Sequence, residues 1–424
     1  MSRTPAVNGE RLLARLAAFA AIGATPKGGV DRQALTAGDR EARRLLADLA
    51  AARGFAVLQD EAANLFVRRE GTDPSLPPLL LGSHLDTQPK GGRFDGTLGV
   101  LAAFEVLEAL EDVGARPARA VEAVAWTNEE GSRFQPGAFG SQAFAGGTIP
   151  SEWREAQDRD GMRLSDELRA TLAALPQAKS RPLGIPLAAY LELHIEQGPA
   201  LEAEDVAIGA VTGIQATRWL EVSFTGRPAH AGTTPLAFRR DPLVAAVAVL
   251  GELHRSIMPA DGDARLTVGR IAAEPGSINV VPERVAFTLD LRHPDDARLA
   301  AIDATVREIC ARHAAAAGCR MEVTVLSNMR SAAFPESVVT LVETAAARSG
   351  LSCRRIVSGA FHDALFLSRV AASGMIFVPC RDGISHNEAE DVAPAASIDG
   401  ATALLNAAVD YLELAGAPER NARA

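Results

Sequence analysis

The stretch GSHLDTQPKGGRFDGTLG, from Gly82 to Gly99, gives the clearest structural and chemical signal in the chain. It follows the apolar run Pro77–Leu81, which is typical of a buried strand, and it is rich in glycine. His84, Asp86 and Asp95 offer the nitrogen and carboxylate ligands that Zn²⁺ or Mn²⁺ prefers in hydrolytic sites. Glycines allow the backbone to fold closely around an ion. The stretch therefore predicts a strand that ends in a metal-binding loop.

Helical and strand patterns alternate on both sides of this stretch. A helix is predicted over Asp39–Arg53, and a long buried helix follows from Val100. The next apolar strand, Ala120–Trp126, leads directly to Glu129 and Glu130. Such alternation is typical of α/β proteins, in which reactive groups gather beyond the carboxyl ends of the strands. We predict an α/β fold with a mixed, largely parallel sheet and helices on both faces.

A different pattern begins near Gly213. Strand, helix, strand, strand, helix and strand then follow one another, with the last strand over Met321–Leu326. This order describes a small ferredoxin-like α+β sheet. At 424 residues the chain also exceeds what one hydrophobic core usually serves. We predict a main domain over residues 1–212 and 328–424, with a second domain over residues 213–327 inserted into it.

Composition and charge exclude several kinds of partner. Apolar residues make up 47% of the chain and charged residues 23%, and the formal net charge is −10 without a long basic run. These values argue against binding to nucleic acid or to an anionic membrane.

Arg11 and Arg15 interrupt the apolar N-terminal stretch at helical spacing, which favours an amphipathic helix over a secretion signal. The four cysteines lack CxxC spacing and predict reduced thiols, so we expect a cytoplasmic protein.

Further histidines and acids complete a ligand set for two metal ions. Taken singly, Glu129–Glu130 is typical of a solvated turn, and His194 is typical of a hydrogen-bonded core histidine. Together with the first stretch they match a centre in which two ions share one carboxylate and each has ligands of its own. A remaining acid can then take the proton from a water between the ions. The available residues are Asp95 for the shared role, His84, Glu130, His194 and His386 as the other ligands, and Glu129 as the acid that remains.

The motifs together resemble the zinc-dependent hydantoinase/carbamoylase amidohydrolases. The resemblance covers about residues 10–412 and rests on GSHLDTQPKGGRFDGTLG, WTNEEGSRF, LELHIEQGP, PAHAGTTP, GSINVVPERVAFTLDLR and GISHNEAE. This family includes N-carbamoyl-L-amino acid hydrolases, β-ureidopropionases and allantoate amidohydrolases, and it is related to di-zinc aminoacylases and carboxypeptidases. It implies a di-zinc exopeptidase-like main domain, with the inserted domain as lid and dimer interface of a homodimer.

The resemblance implies two divalent metal ions per subunit. His84 and His194 would bind one ion, Glu130 and His386 would bind the other, and Asp95 would bridge them. Zinc is the expected metal, although mixed nitrogen and oxygen ligands also accept manganese, cobalt or nickel.

The resemblance also implies catalytic roles. Glu129 would be the general base, and Asp86 would hold the His84 imidazole in the correct tautomer. His230, in the inserted domain, would stabilise the oxyanion of the tetrahedral intermediate. Asn279 lies in a loop of that domain and can donate an amide hydrogen bond to the same centre.

Several residues are expected to bind the substrate. The guanidinium of Arg292 could bind a carboxylate through two parallel hydrogen bonds, and an ion pair with Asp290 or Asp295 is the alternative. Phe361 stands where many relatives have glycine, and we expect it to narrow the pocket or shift its loop. The other substrate-binding candidates are Gln197, Arg218, Gly359 and His362.

These observations predict a metal-dependent amidohydrolase. Its reaction would be cleavage of the linear C–N bond of an N-carbamoyl-L-amino acid, to give the amino acid, carbon dioxide and ammonia. The WTNEEG and SHLDTQPKGG motifs resemble the carbamoylase and ureidopropionase versions more than the allantoate version. The alternatives are an enzyme of the same architecture that acts on allantoate, ureidoglycolate, β-ureidopropionate or an N-acyl amino acid, and a non-catalytic amino-acid-binding relative.

Overall fold

The computed structural model describes residues 4–416 and separates the chain into two compact units. The inserted unit comprises Gly213–Ala332, and the main unit comprises the residues before and after it. The inserted unit begins at the predicted residue but ends at Ala332 rather than residue 327. The reason is that its last long strand continues to Met329, beyond the predicted Leu326.

The α-helices of the described residues are, in chain order, α1 Gly9–Ala21, α2 Ala37–Ala52, α3 Thr97–Asp112, α4 Phe139–Gly146, α5 Ser151–Arg154, α6 Leu164–Ala173, α7 Ala200–Ala203, α8 Pro242–Ser256, α9 Asp296–Ala316, α10 Glu336–Arg348, α11 Asp363–Leu367 and α12 Pro394–Gly416. The strands are β1 Ala56–Gln59, β2 Leu65–Arg69, β3 Leu79–His84, β4 Val121–Trp126, β5 Lys179–Ser180, β6 Ala189–Ile195, β7 Ile208–Ile214, β8 Ala216–Thr225, β9 Ala229–His230, β10 Arg265–Glu274, β11 Val280–Val281, β12 Arg284–His293, β13 Arg320–Met329, β14 Ala332–Ala333, β15 Cys353–Ser358 and β16 Ser373–Val378.

A 10-stranded sheet forms the centre of the main unit. Its order is β14-β7-β16-β6-β3-β4-β2-β1-β5, and β15 also pairs with β7. The four central strands, β16, β6, β3 and β4, are mutually parallel, whereas β7 and β2 flank them in antiparallel orientation. Every residue of these four strands is buried, as expected for strands covered on both faces. The predicted fold class is confirmed.

The register of the central strands determines where the site forms. Leu81 pairs with Leu191 in parallel, so the same register brings His84 opposite His194 near the carboxyl ends of β3 and β6. His84 also pairs with Trp126, the last residue of β4. The segments after these strands therefore begin at one edge of the sheet.

The inserted unit has the predicted ferredoxin-like order. Its sheet runs β10-β12-β8-β13 with antiparallel neighbours, and α8 and α9 pack against it. Phe224, Phe287 and Val249 are among the fully buried residues of its core. The two-residue strands β9 and β11, which the sequence pattern did not predict, pair with each other and place His230 opposite Val280.

Helix α1 is amphipathic, as predicted, and the two arginines that interrupt its apolar pattern have buried partners. Asn8 caps the helix by accepting the N–H of Arg11. Arg11 Nη2 lies 2.7 Å from Glu105 of α3, and Arg15 Nη2 lies 2.9 Å from Glu108. The side chains of both glutamates are at most 1% exposed. The arginines therefore attach α1 to α3, the helix that begins within the Gly82–Gly99 stretch.

We expect Glu108→Ala to lower the free energy of unfolding by about 3–5 kcal/mol, because it leaves several partly buried guanidinium groups without their shared carboxylate. Arg53 is also in this set, with its Nε 3.3 Å from Glu108. Urea denaturation measures the effect. The control is Glu41→Ala on α2, where the exposed side chain should contribute less than about 0.5 kcal/mol. Equal effects of the two substitutions would contradict the role of the cluster.

Within residues 4–416, every helix is too short or too polar to cross a lipid bilayer.

Candidate active site

Two groups of predicted ligands meet at the carboxylate of Asp95. His84 Nε2 lies 3.5 Å and His194 Nε2 lies 3.0 Å from Asp95 Oδ1. On the other side, His386 Nε2 lies 3.4 Å from Asp95 Oδ2 and 3.3 Å from Glu130 Oε2. Within each group the ligand atoms all lie within 4.8 Å of one another. The structure thus brings the five predicted ligands together, with one Asp95 oxygen facing each pair.

The donor set fits divalent cations. His84, Asp95 and His194 are almost fully buried, and the His194 Nε2 atom is buried without a hydrogen-bond partner. Within the described residues, no arginine or lysine forms an ion pair with Asp95, Glu129 or Glu130. Closely spaced carboxylates in such an environment need a positive charge to remain ionised. Two divalent cations would supply that charge.

The ring nitrogens that face away from the site set the histidine tautomers. His84 Nδ1 lies 2.8 Å from the main-chain carbonyl of Asp86, and His194 Nδ1 lies 2.9 Å from that of Ile195. A carbonyl only accepts hydrogen bonds, so each Nδ1 donates, and in the neutral form of each ring the Nε2 lone pair points toward Asp95. Both imidazoles are therefore prepared to bind a metal ion through Nε2.

Asp86 contacts the site differently from the sequence-based expectation. Its carboxylate lies 4.0 Å from His84 Nδ1, and it is the main-chain carbonyl that accepts from this nitrogen. The carboxylate instead accepts the main-chain N–H groups of Glu129, at 3.3 Å, and Glu130, at 3.2 Å. Asp86 thus orients His84 through its backbone, and it positions the Glu129–Glu130 peptide through its side chain.

The Glu129–Glu130 loop is held from several directions. Asn128 has a left-handed backbone (φ 55°) and donates its amide to the carbonyls of Phe134, at 2.8 Å, and Pro136, at 3.1 Å. Gln88 donates both its main-chain N–H, at 3.0 Å, and its side-chain amide, at 2.8 Å, to Glu130. These bonds fix the loop from within and from the neighbouring segment.

Glu129 is placed to work beside the ligands rather than among them. Its Oε2 lies 3.6 Å from His84 Nε2, and the side chain is buried. Burial raises the pKa of Glu129 well above its ordinary value; His84 opposes this effect, and the nearby Asp363 and Glu130 carboxylates add to it. An acid with a raised pKa in this position suits proton transfer near neutral pH.

Gly96 allows the loop to pass close to His84. Its φ is +61°, and a Cβ atom there would lie 2.4 Å from the His84 ring. Any side chain would therefore displace the imidazole, so this position requires glycine.

Two of the substrate-binding candidates in the main unit lie at this centre. Gln197 Nε2 donates to Asp95 Oδ2 at 3.0 Å and to Ser385 Oγ at 3.1 Å. His362 is buried, with its ring 4.5 Å from that of His194 and its Nε2 3.0 Å from Ser358 Oγ. Burial and His194 lower the pKa of His362 well below its ordinary value, so its ring is neutral.

The segment around Gly359 also reaches the Glu129–Glu130 loop. Gly359 is exposed between Ser358 and Ala360. The ring of Phe361 lies 3.2 Å from the Cβ position of Gly137, in the loop that follows Glu130. The added bulk of Phe361 is thus accommodated against a glycine.

The inserted unit prepares His230 as a hydrogen-bond donor. The main-chain N–H groups of Gly232 and Thr233 donate to His230 Nδ1 at 3.1 and 3.2 Å, so the neutral ring carries its proton on Nε2. Asn279 lies beside this segment, and its main-chain carbonyl accepts the main-chain N–H of Ala231 at 3.0 Å.

The arginine candidates of the inserted unit have acidic partners. Arg292 contacts Asp290 through Nε, at 3.0 Å, and Nη2, at 2.8 Å, which is the ion pair expected as the alternative. Arg218 bonds to Asp303 at 2.8 Å and to Asn328 at 3.1 Å.

Sequence reasoning missed several residues around the ligands. Glu192 is fully buried and accepts from Ser83, at 2.8 Å, and from the N–H of Ala364, at 3.0 Å. The period of two along β6 puts Glu192 on the same face as His194, which is a signal that could have found it. The other missed residues are Gln88, Asp363, Ser385 and Glu390.

Comparison with known proteins identifies the family of the chain. Residues 80–410 match the family described as Peptidase family M20/M25/M40. The chain belongs to this family. An N-carbamoyl-L-amino-acid amidohydrolase of Rhizobium meliloti is 39% identical over 413 residues, which cover 96% of this chain and 97% of that protein. An allantoate amidohydrolase of Bacillus subtilis is 33% identical, over 88% and 90% of the two chains.

A solved structure extends the similarity to the fold. A hydantoinase/carbamoylase family amidase from Burkholderia multivorans has a TM-score of 0.90 and 45% identity, and the match covers 96% of this chain and 99% of that one. The resemblance inferred from the motifs is confirmed, as is the predicted class of hydrolases acting on C–N bonds other than peptide bonds. The family is metal-dependent, and the described residues contain groups that could hold metal ions.

Proposed function

We propose that the protein hydrolyses N-carbamoyl-L-amino acids to the amino acid, carbon dioxide and ammonia. The observation that carries this proposal is the convergence of two histidine–carboxylate pairs on Asp95, with Glu129 buried beside them. The nearly full-length similarity to the Rhizobium meliloti enzyme supports the choice of substrate class.

Two divalent ions, with zinc as the expected metal, fit this centre. His84 and His194 would hold one ion, Glu130 and His386 the other, and Asp95 both. When bound, such ions polarise a carbonyl group and lower the pKa of water, which makes water a nucleophile near neutral pH.

Glu129 would accept the proton of the attacking water and deliver it to the departing nitrogen. Its buried carboxylate, 3.6 Å from His84 Nε2, is placed for both transfers. Asp86 would keep the Glu129 peptide in place, and His362, whose ring lies 4.5 Å from that of His194, would bind substrate. Gln197 and Gly359 are the remaining candidates of the main unit for substrate binding.

The inserted unit would complete the site as a lid. The Nε2–H of His230 and the amide of Asn279 would donate to the oxyanion that forms on the ureido carbon. Arg292 would bind the substrate carboxylate in place of one bond to Asp290, and Arg218 would assist.

We further infer that this unit forms the interface of a cytoplasmic homodimer. The net charge of −10 supports the absence of nucleic-acid and membrane partners.

Ammonia release from a panel of substrates tests this function. The metal-stripped protein is reloaded with Zn²⁺, Mn²⁺ or Co²⁺ and given N-carbamoyl-L-amino acids, their D-enantiomers, N-carbamoyl-β-alanine, allantoate and ureidoglycolate. We expect turnover of the N-carbamoyl-L-amino acids, and only with metal present. Activity on allantoate alone would favour the second candidate, which the Bacillus subtilis relative supports. Full metal content without activity on any amide would favour an amino-acid-binding protein.

A further inference from the structure

Glu390 lies outside the ligand set but is buried against it. The residue is 2% exposed, and its Oε1 accepts the main-chain N–H groups of Phe94, at 2.9 Å, and Asp95, at 3.0 Å. Glu390 belongs to the loop of His386, so these two bonds connect the segments that carry two of the ligands. Its second oxygen, Oε2, lies 3.1 Å from Ser385 Oγ.

The fold makes room for this carboxylate. A Cβ atom at Gly92 would lie 1.9 Å from the Glu390 carboxyl carbon and 2.0–2.2 Å from its oxygens. Residue 92 must therefore be glycine for the carboxylate to reach the Asp95 peptide.

The hydroxyl group of Ser385 has one proton and lies within hydrogen-bond distance of two carboxylates. Its Oγ lies 3.0 Å from Asp95 Oδ2 and 3.1 Å from Glu390 Oε2, and it accepts from Gln197 Nε2 at 3.1 Å. A hydroxyl group donates only one hydrogen bond at a time, so Ser385 can serve one of the two carboxylates and not both.

The partner that Ser385 takes affects metal binding, because Asp95 Oδ2 also faces His386 and Glu130, the second pair of ligands. Asp95 Oδ2 has two lone pairs, and two donor groups lie within hydrogen-bond distance of it: Gln197 Nε2 at 3.0 Å and Ser385 Oγ at 3.0 Å. An ion held by Asp95, Glu130 and His386 needs one of these lone pairs, so one donor must turn away. Ser385 has another acceptor close by, which is Glu390 Oε2.

We propose that Glu390 is a positioning residue for the ion held by Asp95, Glu130 and His386. Its Oε1 fixes the Asp95 peptide, and its Oε2 takes the Ser385 hydrogen bond and so frees Asp95 Oδ2 for the ion. This inference rests on the proposed two-ion function. The other ion faces Asp95 Oδ1, which Ser385 does not contact, so Glu390 acts mainly on one of the two positions.

Glu390→Gln tests the proposal with little change in shape. The amide oxygen can still accept from Phe94 and Asp95, but the amide nitrogen donates and cannot accept from Ser385. The hydroxyl is then confined to Asp95 Oδ2. We expect the affinity for the second Zn²⁺ ion to fall about 10–100-fold, with little change for the first. Titration of metal-free protein with Zn²⁺ against a chromophoric chelator measures both affinities without any assay of activity.

Two further variants distinguish this role from a general loosening of the loop. Glu388→Gln makes the same charge change two residues earlier in the same loop and should leave both affinities unchanged. Ser385→Ala combined with Glu390→Gln removes the hydroxyl that Glu390→Gln traps, so the double variant should regain most of the lost affinity. Ser385→Ala alone should bind the second ion at least as tightly as the unsubstituted protein, which tests the role even if Glu390→Gln does not fold.

The outcomes are distinguishable. If the unsubstituted protein binds fewer than two Zn²⁺ ions, the two-ion function itself is wrong. If it binds two and Glu390→Gln binds both equally well, the role of Glu390 is wrong. Failure of the double variant to recover, or a weaker second site in Ser385→Ala alone, would also overturn it.

Discussion

Glu129→Gln is expected to lower kcat for an N-carbamoyl-L-amino acid by about 10²–10⁴-fold, because the amide cannot accept a proton from water. Metal content should stay the same, since Glu129 lies beside His84 but is not one of the five residues that converge on Asp95. Steady-state kinetics measure the loss, and elemental analysis of the same samples measures the metal.

The fold should tolerate this substitution. Glutamine has nearly the same volume as glutamate, and Asp86 still accepts the main-chain N–H of residue 129. Burial disfavours the charged carboxylate, so a neutral amide should leave the melting temperature equal or higher. A suitable control is Glu155→Gln, at an exposed glutamate that pairs with Arg163. Normal turnover by the Glu129 variant would remove this residue from the role of base.

The sequence was sufficient to predict the central strands and the side chains that converge on Asp95, because each signal is local. β3 begins with three leucines and β4 is apolar apart from Glu122, and polar or glycine-rich segments follow both strands, which is the pattern of a strand covered on both faces. His84, Glu130 and His194 lie at or just beyond strand ends, where the topology of a parallel sheet brings reactive groups together.

The parts that the sequence did not reveal depend on contacts between distant segments. The Asp86 carboxylate binds the Glu129–Glu130 peptide because of how the loop after β3 bends, and no spacing rule encodes that bend. Glu390 lies in a polar loop without periodicity, so its bonds to Phe94 and Asp95 emerge only in three dimensions.

Some secondary structure was missed for a related reason. Helix α4, with the sequence FGSQAFAG, contains two glycines and begins after a left-handed Ala138 without a side-chain cap. Its residues have weak helical propensity, and burial of Phe139 and Phe144 stabilises it instead. Strand β15 is half exposed and begins CRR, so it lacks the apolar run that identified the central strands.

Asp95→Asn is expected to abolish the binding of both proposed metal ions and, with it, all turnover. One oxygen of Asp95 faces His84 and His194, and the other faces Glu130 and His386. Asp95 is the only described residue that belongs to both of these ligand groups. The asparagine amide has no negative charge, and an NH₂ donor replaces one of the two oxygens. At least one of the two ligand groups therefore loses its shared oxygen ligand, and the ion of the other group loses the negative charge that Asp95 supplies.

Thermal melting with and without Zn²⁺ gives a readout of this loss that does not depend on activity. A ligand that binds only the folded state, present at 100 times its Kd, stabilises that state by about 2.7 kcal/mol. The unsubstituted protein should therefore melt at a lower temperature after chelation, whereas Asp95→Asn should melt at the same temperature with or without metal. His386→Ala is the matched control, because it removes a ligand from one group only and should retain one ion per subunit. If Asp95→Asn still bound two ions, the carboxylate could not be the bridge between them.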